Sequence, residues 1–253
     1  MKSMFVAGLF FIGLILTACG PPPPAISEET VNRYYILAKT RADEYRSAAY
    51  LIDLRINDAG NKFSTTTELY FAGDSVGFYG RGYLGKGAFK GSIIDDLVTI
   101  YFKSQNEYFS AFLSDIRNHG ECPGPGEILL LMLSRLSFKD VPGTPEESVR
   151  MSRREFFNNF GRFDHMVRLQ GKGGSYPKLT KLTNPICGDS IIIRYDSFSN
   201  DFPYYQPVSL LYHNSQIDFR ARGFMRERRY NIPIGNKKFA LNIPASAVRI
   251  ESF

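Results

Sequence analysis

The chain has no tryptophan, only three cysteines and only three histidines among its 253 residues. Three cysteines exclude a disulfide-dense miniprotein. His119, His165 and His213 are scattered, and no H-E-x-x-H, H-x-H or paired C-x-x-C accompanies them. A zinc site is therefore not expected, and no cofactor is implied. The apolar run from Met4 to Leu16 falls short of the roughly 20 residues that a membrane helix needs. No collagen-like glycine period and no internal repeat is present. What the chain does have is 43% hydrophobic and 22% charged residues, a formal charge of +6, 21 Phe and 15 Tyr. That balance excludes a disordered chain, and the aromatic content leans towards sheet.

Lys2 and the apolar run read as a secretory signal of the short kind. Leu16-Thr17-Ala18-Cys19 follows, and this tetrapeptide resembles the lipobox of bacterial lipoprotein precursors. The resemblance implies cleavage before Cys19 and lipidation there, with residues 1–18 removed. A plain signal peptide cut after Ala18 is the alternative. Residues 19–26 hold four prolines, Pro21 to Pro24, which favour an extended polyproline II tether. Gly20 lacks the acidic side chain that retains some lipoproteins in the inner membrane. The expected location is thus the outer membrane of a bacterial envelope, facing the periplasm. Cys122 and Cys187 remain, and an oxidising envelope makes a disulfide between them plausible.

Residues 27–253 read as a single domain. Ser27 is a good N-cap for a helix to about Glu44, with Val31, Tyr34, Tyr35 and Ala38 on one face. From Ala48 the period changes to two, placing Tyr50, Ile52, Leu54 and Ile56 on one face. Phe63, Thr65, Thr67, Leu69 and Phe71 share a face of the next strand. Further strands are expected over 76–82, 89–94 and 97–102, giving a meander of about five. The apolar spacing of Phe109, Phe112, Leu113 and Ile116 predicts a helix over 108–116. A strongly apolar helix is expected over 127–138 and a more polar one over 146–158. Strands are then expected over 165–170, 178–183, 190–195, 207–212, 216–228 and 239–243. No βαβ alternation appears, so the class is α+β with an antiparallel sheet.

Three motifs look like chemistry. Gly73-Asp74-Ser75-Val76-Gly77 matches G-x-S-x-G, but a nucleophile elbow needs a helix after the serine, and here a strand follows. Gly80 to Gly85 matches G-x-G-x-x-G without the helix that receives a pyrophosphate. Gly188-Asp189-Ser190-Ile191 resembles a short esterase block, yet no matching histidine block follows. The chain reads as not an enzyme. Arg220, Arg222, Arg226 and Arg228 share one parity of a strand, with Ile217, Phe219, Ala221 and Met225 on the other. This is either a solvated face or a contact with anionic headgroups or an acidic partner. Nucleic acid is not expected to be a partner of an exported, tethered chain.

The order of elements, with Ser47 to Leu54 and the block from Gly80 to Gly91, resembles the bacterial lipoprotein-carrier superfamily, the LolA/LolB-like proteins. The ending Phe239-Ala240-Leu241-Asn242-Ile243-Pro244 with Val248 looks like that family's closing strand. The absence of tryptophan and the Tyr/Arg-rich stretch from 204 to 230 depart from it. The resemblance implies an unclosed half-barrel whose concave face is lidded by helices and holds acyl chains of lipidated proteins. Tyr50, Ile52, Leu54, Phe63, Leu69, Phe71 and Phe78 would line the cavity. Leu84, between Tyr83 and Gly85, would meet the bilayer from a protruding loop. The protein would act as a monomer that accepts or inserts lipoproteins, or a related amphiphile. The alternative is an assembly lipoprotein that binds a protein partner through its basic C-terminal strands.

Overall fold

The computed structural model describes residues 25–82, 87–116, 122–138, 150–152, 154–160, 162–170, 175–196 and 204–251. Helix α1 spans Glu28–Glu44, and the Ser27 side chain accepts from the Thr30 amide at 3.2 Å. Its apolar stripe Val31, Tyr34, Tyr35 and Ala38 is buried. A meander follows: β1 Ser47–Asp58, β2 Asn61–Ala72, β3 Ser75–Arg81, β4 Gly87–Ile94, β5 Leu97–Phe102 and β6 Glu107–Phe112. The β1–β2 turn holds Ala59 and Gly60 at φ 45° and 94°, and the β4–β5 turn holds Asp95 and Asp96 at φ 48° and 63°. Two positive φ angles in a two-residue loop match the right-handed twist of the strands they join.

After β6 come a single turn α2, Leu113–Ile116, and the apolar helix α3, Pro125–Ser137. Pro125 opens α3, where a missing N–H costs nothing, and Phe138 ends it in the left-handed region at φ 59°. The second half returns to sheet: β7 Arg150–Met151, β8 Glu155–Phe160, β9 Phe163–Leu169, β10 Pro177–Asn184, β11 Asp189–Asp196, β12 Gln206–Asn214 and β13 Phe219–Tyr230. A 3₁₀ turn at Asn236–Lys238 and the short β14, Val248–Ile250, close the described chain.

All these strands belong to one sheet in the order β14-β6-β5-β4-β3-β2-β1-β13-β12-β11-β10-β9-β8-β7. Every pairing is antiparallel except β14 on β6. β14 and β7 are edges and do not pair, so the sheet is an unclosed one with helices on one face. That is the α+β, antiparallel class expected. Strand β13 zips against β1 over its whole length and thereby joins the two halves.

Four expectations need correction. Residues 107–112 are strand, not helix. Their spacing suits either period, and the ladder to β5, with Phe109 opposite Ile100, decides it. The meander therefore has six strands. Residues 155–160 are also strand: β8 pairs with β9 and buries Phe156 completely. Residues 239–243 form no strand; the stretch lies over the sheet with Phe239 buried, and the closing strand is Val248–Ile250. Finally, β13 contains a bulge, since Leu51 pairs with Glu227 but Ile52 with Met225. Arg226 is the extra residue, and a one-residue insertion flips every later side chain. Arg228 thus leaves the parity of Arg220 and Arg222 and faces the same way as Tyr50. Ile217 lies in the turn before β13, not within the strand.

Candidate lipid-binding face

The face against which the helices pack, here the inner face, is built from ranks of opposed residues. One rank runs Tyr50, Leu69, Phe78, Gly91, Ile100 and Phe109 across β1 to β6. The next runs Ala48, Phe71, Val76, Ile93, Val98 and Ala111. Two glycines shape this face. A Cβ on Gly91 would stand 2.1 Å from the Phe78 ring, and one on Gly80 would stand 2.3 Å from the Phe89 ring. Each phenylalanine therefore lies down over the glycine opposite it, and the two rings sit 6.2 Å apart.

Of the residues expected to line a cavity, Tyr50, Ile52, Leu69 and Phe71 are brought together and are buried. Leu54 and Phe78 are half-buried on the same face. Phe63 sits farther along, opposite Ile56 near the β1–β2 turn, and is 43% exposed. Tyr83, Leu84 and Gly85 lie outside the described residues, as does Cys19.

Helix α3 covers this face. Ile128, Leu133 and Leu136 are buried in the common apolar cluster, and Leu129, Leu130, Leu131 and Met132 are partly buried against it. The Tyr50 hydroxyl donates to the Leu136 carbonyl at 2.8 Å, satisfying one of the carbonyls a helix end leaves open. Burial pushes the Tyr50 phenol well above its ordinary pKa, so it remains a donor. At the C-terminal end of α3, Phe138 packs edge-on to Tyr45 and against Tyr230, and Tyr230 packs edge-on to Tyr50. At its N-terminal end, Cys122 is bonded to Cys187 of the β10–β11 turn, with Cα atoms 5.5 Å apart.

Two arginines that sequence reasoning passed over, and His165, are buried beneath the helices. Arg41 of α1 is 6% exposed, with its guanidinium 4.0 Å from the Phe138 ring centroid and 3.8 Å from that of Tyr205. It also donates to the Tyr205 carbonyl at 3.2 Å. Desolvated cation–π contacts of this kind are worth about 2 kcal/mol. Position 41 continues the 31, 34, 35, 38 spacing, so its burial was available from periodicity. Arg135 of α3 is buried as well, and His165 of β9 is fully buried. Burial, followed by the charge of Arg135, holds the His165 imidazole well below its usual pKa. Nearby, Asn158 donates to the Tyr35 hydroxyl at 2.7 Å.

The motif serines sit in structural settings. Ser75 begins β3 directly after a turn with Gly73 at φ 56°. Ser190 lies opposite His213 across the β11–β12 ladder. Asp189, one residue earlier, faces the other way; its carboxylate accepts from Tyr212 and Asn214, both at 2.8 Å. The pleat therefore keeps that acid off the face that carries Ser190 and His213. Among the described residues, no group of three His, Cys, Asp or Glu is placed to hold a metal ion.

The outer face holds a cavity of about 720 Å³ between β1–β3 and the segment 232–238 that arches over them. Glu68 is among its lining residues, bonded to Tyr70 and Arg81, with Lys238 3.6 Å away. Burial raises the Glu68 carboxyl, but the Tyr70 hydroxyl and the two cations reverse this and leave it below the usual range. Lys238 also donates to Tyr70 at 2.7 Å. A Cβ on Gly77 would meet the Lys238 carbonyl at 2.5 Å, so only glycine lets the arch land there.

No protein-family model and no curated protein matches the chain. Solved structures do. A putative outer membrane lipoprotein-sorting protein domain from Vibrio parahaemolyticus is similar over 84% of this chain and 97% of its own, at 12% identity and a TM-score of 0.49. A LolA superfamily protein from Nitrosomonas europaea covers 83% and 97%, at 10% identity and a TM-score of 0.43. LprF from Mycobacterium bovis covers 88% and 100%, at 11% identity and a TM-score of 0.35.

Proposed function

We propose that the chain is a non-catalytic, lipid-anchored protein of the bacterial envelope, and that its inner face takes up the acyl chains of lipidated proteins or of a related amphiphile. The observation that carries this reading is the pairing of two apolar ranks with a helix that is apolar around most of its circumference. A helix apolar on all sides suits a lipid-like or fully buried setting. Here four of its large side chains, Leu129 to Met132, are only partly buried. An acyl chain can take the place of α3 over Tyr50, Ile52, Leu69 and Phe71 at the expense of the Tyr50–Leu136 hydrogen bond and the half-exposed Glu127–Arg162 pair. Burying about 15 methylenes yields roughly 12 kcal/mol, at about 0.8 kcal/mol each. That offsets the lifting of one short helix. The lipobox places the lipid anchor at Cys19, and the missing acid at Gly20 favours the outer membrane. Leu84, between β3 and β4 in the sequence, is the residue proposed to touch the bilayer during delivery.

The test uses the chain from residue 19 with Cys19→Ala, which retains every described element. Purified without detergent, it should carry acyl-bearing cargo detectable by mass spectrometry, or bind a fluorescent fatty-acyl probe. Leu69→Arg should abolish probe binding, whereas Leu84→Glu should bind normally and fail to deliver. A folded protein that carries no lipid and ignores the probe would refute the reading.

A further inference from the structure

Three adjacent hairpin turns form one rim of the sheet. Residues 59–60 join β1 to β2, 215–218 join β12 to β13, and 185–188 join β10 to β11. These hairpins are neighbours in the strand order β2-β1-β13-β12-β11-β10. At a strand spacing of about 4.8 Å the rim is about 24 Å wide. The turns are bonded to one another. The Ala59 amide donates to the Asp218 carbonyl at 3.4 Å, and the Ser215 amide donates to the Gly188 carbonyl at 3.1 Å. Gln216 Nε2 donates to the Ile186 carbonyl at 2.8 Å. Asn184 accepts from the amides of Ile186 and Cys187, and Asn214 from those of Gln216 and Ile217. Such side-chain caps fix a turn's conformation. The Cys187–Cys122 bond secures the rim further.

On this braced rim Ile186 and Ile217 are 67% and 63% exposed. Their own backbones are held by the bonds just named. Behind them, on the outer face, stand Lys62, Arg55, Arg220 and Arg222, all exposed. Arg55 lies directly opposite Arg222, and Asn57 separates Lys62 from Arg220. Like charges opposed across a ladder destabilise it, yet this pair is present. None of the four makes an ion pair among the described residues. Arg222 lies 6.0 Å from the Phe224 ring. The acids at the rim, Asp58 and Asp218, leave a surplus of positive charge. Arg220 is two residues from the turn, about 7 Å at strand rise. That is close to the depth of a bilayer's headgroup layer.

We propose that this rim docks on an anionic bilayer surface, with Ile186 and Ile217 entering the interface and Arg55, Lys62, Arg220 and Arg222 meeting lipid phosphates. A bilayer presents an apolar layer and an anionic layer at successive depths, as the rim presents apolar tips and then cations. The inference deepens the proposed envelope function by naming the surface that faces the membrane. It does not depend on acyl binding by the inner face.

The test is flotation of the chain from residue 19, with Cys19→Ala, on vesicles of phosphatidylglycerol mixed with phosphatidylcholine or of phosphatidylcholine alone. Binding to the anionic vesicles should be at least tenfold tighter and should weaken with salt. Ile186→Ser with Ile217→Ser, and separately Arg220→Glu with Arg222→Glu, should each weaken it about tenfold or more. The isoleucine variant should unfold at the wild-type temperature and the arginine variant no lower, since it removes the repulsion of Arg222 from Arg55, and both should bind the acyl probe as wild type does. Wild-type protein that ignores anionic vesicles overturns the proposal, as does unchanged binding by the isoleucine variant. Loss with the arginine variant alone would mark an electrostatic site for an acidic partner and would equally overturn it. Normal flotation without acyl-probe binding would refute the carrier reading and leave the docking rim standing.

Discussion

Strand β1 contributes to two different environments within twelve residues. On its inner side, Ala48, Tyr50 and Ile52 are buried, with Tyr50 packed edge-on to Phe71 and Tyr230 and bonded to the Leu136 carbonyl. On its outer side, Asp53 accepts from Thr66 and pairs with Arg226 at 3.6 Å, and Arg55 faces Arg222. The inner face is held by area removed from water, and the outer face by exchangeable polar contacts that water also supplies. Stability should therefore come almost wholly from one face, leaving the charge pattern of the other free to serve a partner.

Truncation on the two faces gives the largest contrast. Phe71→Ala should cost about 3–5 kcal/mol, since Phe71 is 2% exposed in the inner rank. Thr66→Ala, on the outer side of the same strand, should cost about 0.5 kcal/mol. Denaturant unfolding measures both, and comparable losses would break the contrast. The second test concerns the tie that holds α3 to the inner face. Cys122→Ser with Cys187→Ser opens a loop of 65 residues' separation and should cost about 2–4 kcal/mol. The same variant should bind the acyl probe more tightly, because α3 lifts more easily.

The third test is pH. The pKa of folded His165 is depressed, so well above pH 6.5 the ring is uncharged in both states and contributes no pH dependence. Below the unfolded value of about 6.5 the unfolded chain takes up a proton that the fold resists. Stability should then fall with decreasing pH, by at most about 1.4 kcal/mol per unit. His165→Gln should flatten that slope between pH 6.5 and 5. The smallest effect lies on the outer face and has the opposite sign: Arg55→Gln should raise stability by about 0.2–0.5 kcal/mol by relieving repulsion from Arg222.

Much of this arrangement was legible beforehand. The alternation from Ala48 to Ile56 and from Phe63 to Phe71 places the right side chains on the inner face, and Ser27 starts α1. The misread stretches are those where two periods coexist. Phe109, Phe112, Leu113 and Ile116 satisfy a helix, while Tyr108 to Phe112 also satisfies a strand. Only the partner β5, present in the folded chain, breaks the tie. Arg228 was assigned the wrong side because a bulge is set by pairing with β1, and no local feature of β13 marks it.

By itself, the sequence determined the antiparallel α+β class and the sidedness of most strands. These depend on period and turn chemistry, both of which act over a few residues. The tertiary structure alone decided what covers the inner face, why Arg41 is sandwiched between two rings, and which turns meet to form a braced rim. Those outcomes depend on contacts between residues far apart in the chain, such as Arg41 with Tyr205 and Ala59 with Asp218. Their free energy arises only once the β13–β1 ladder has closed the two halves into one sheet.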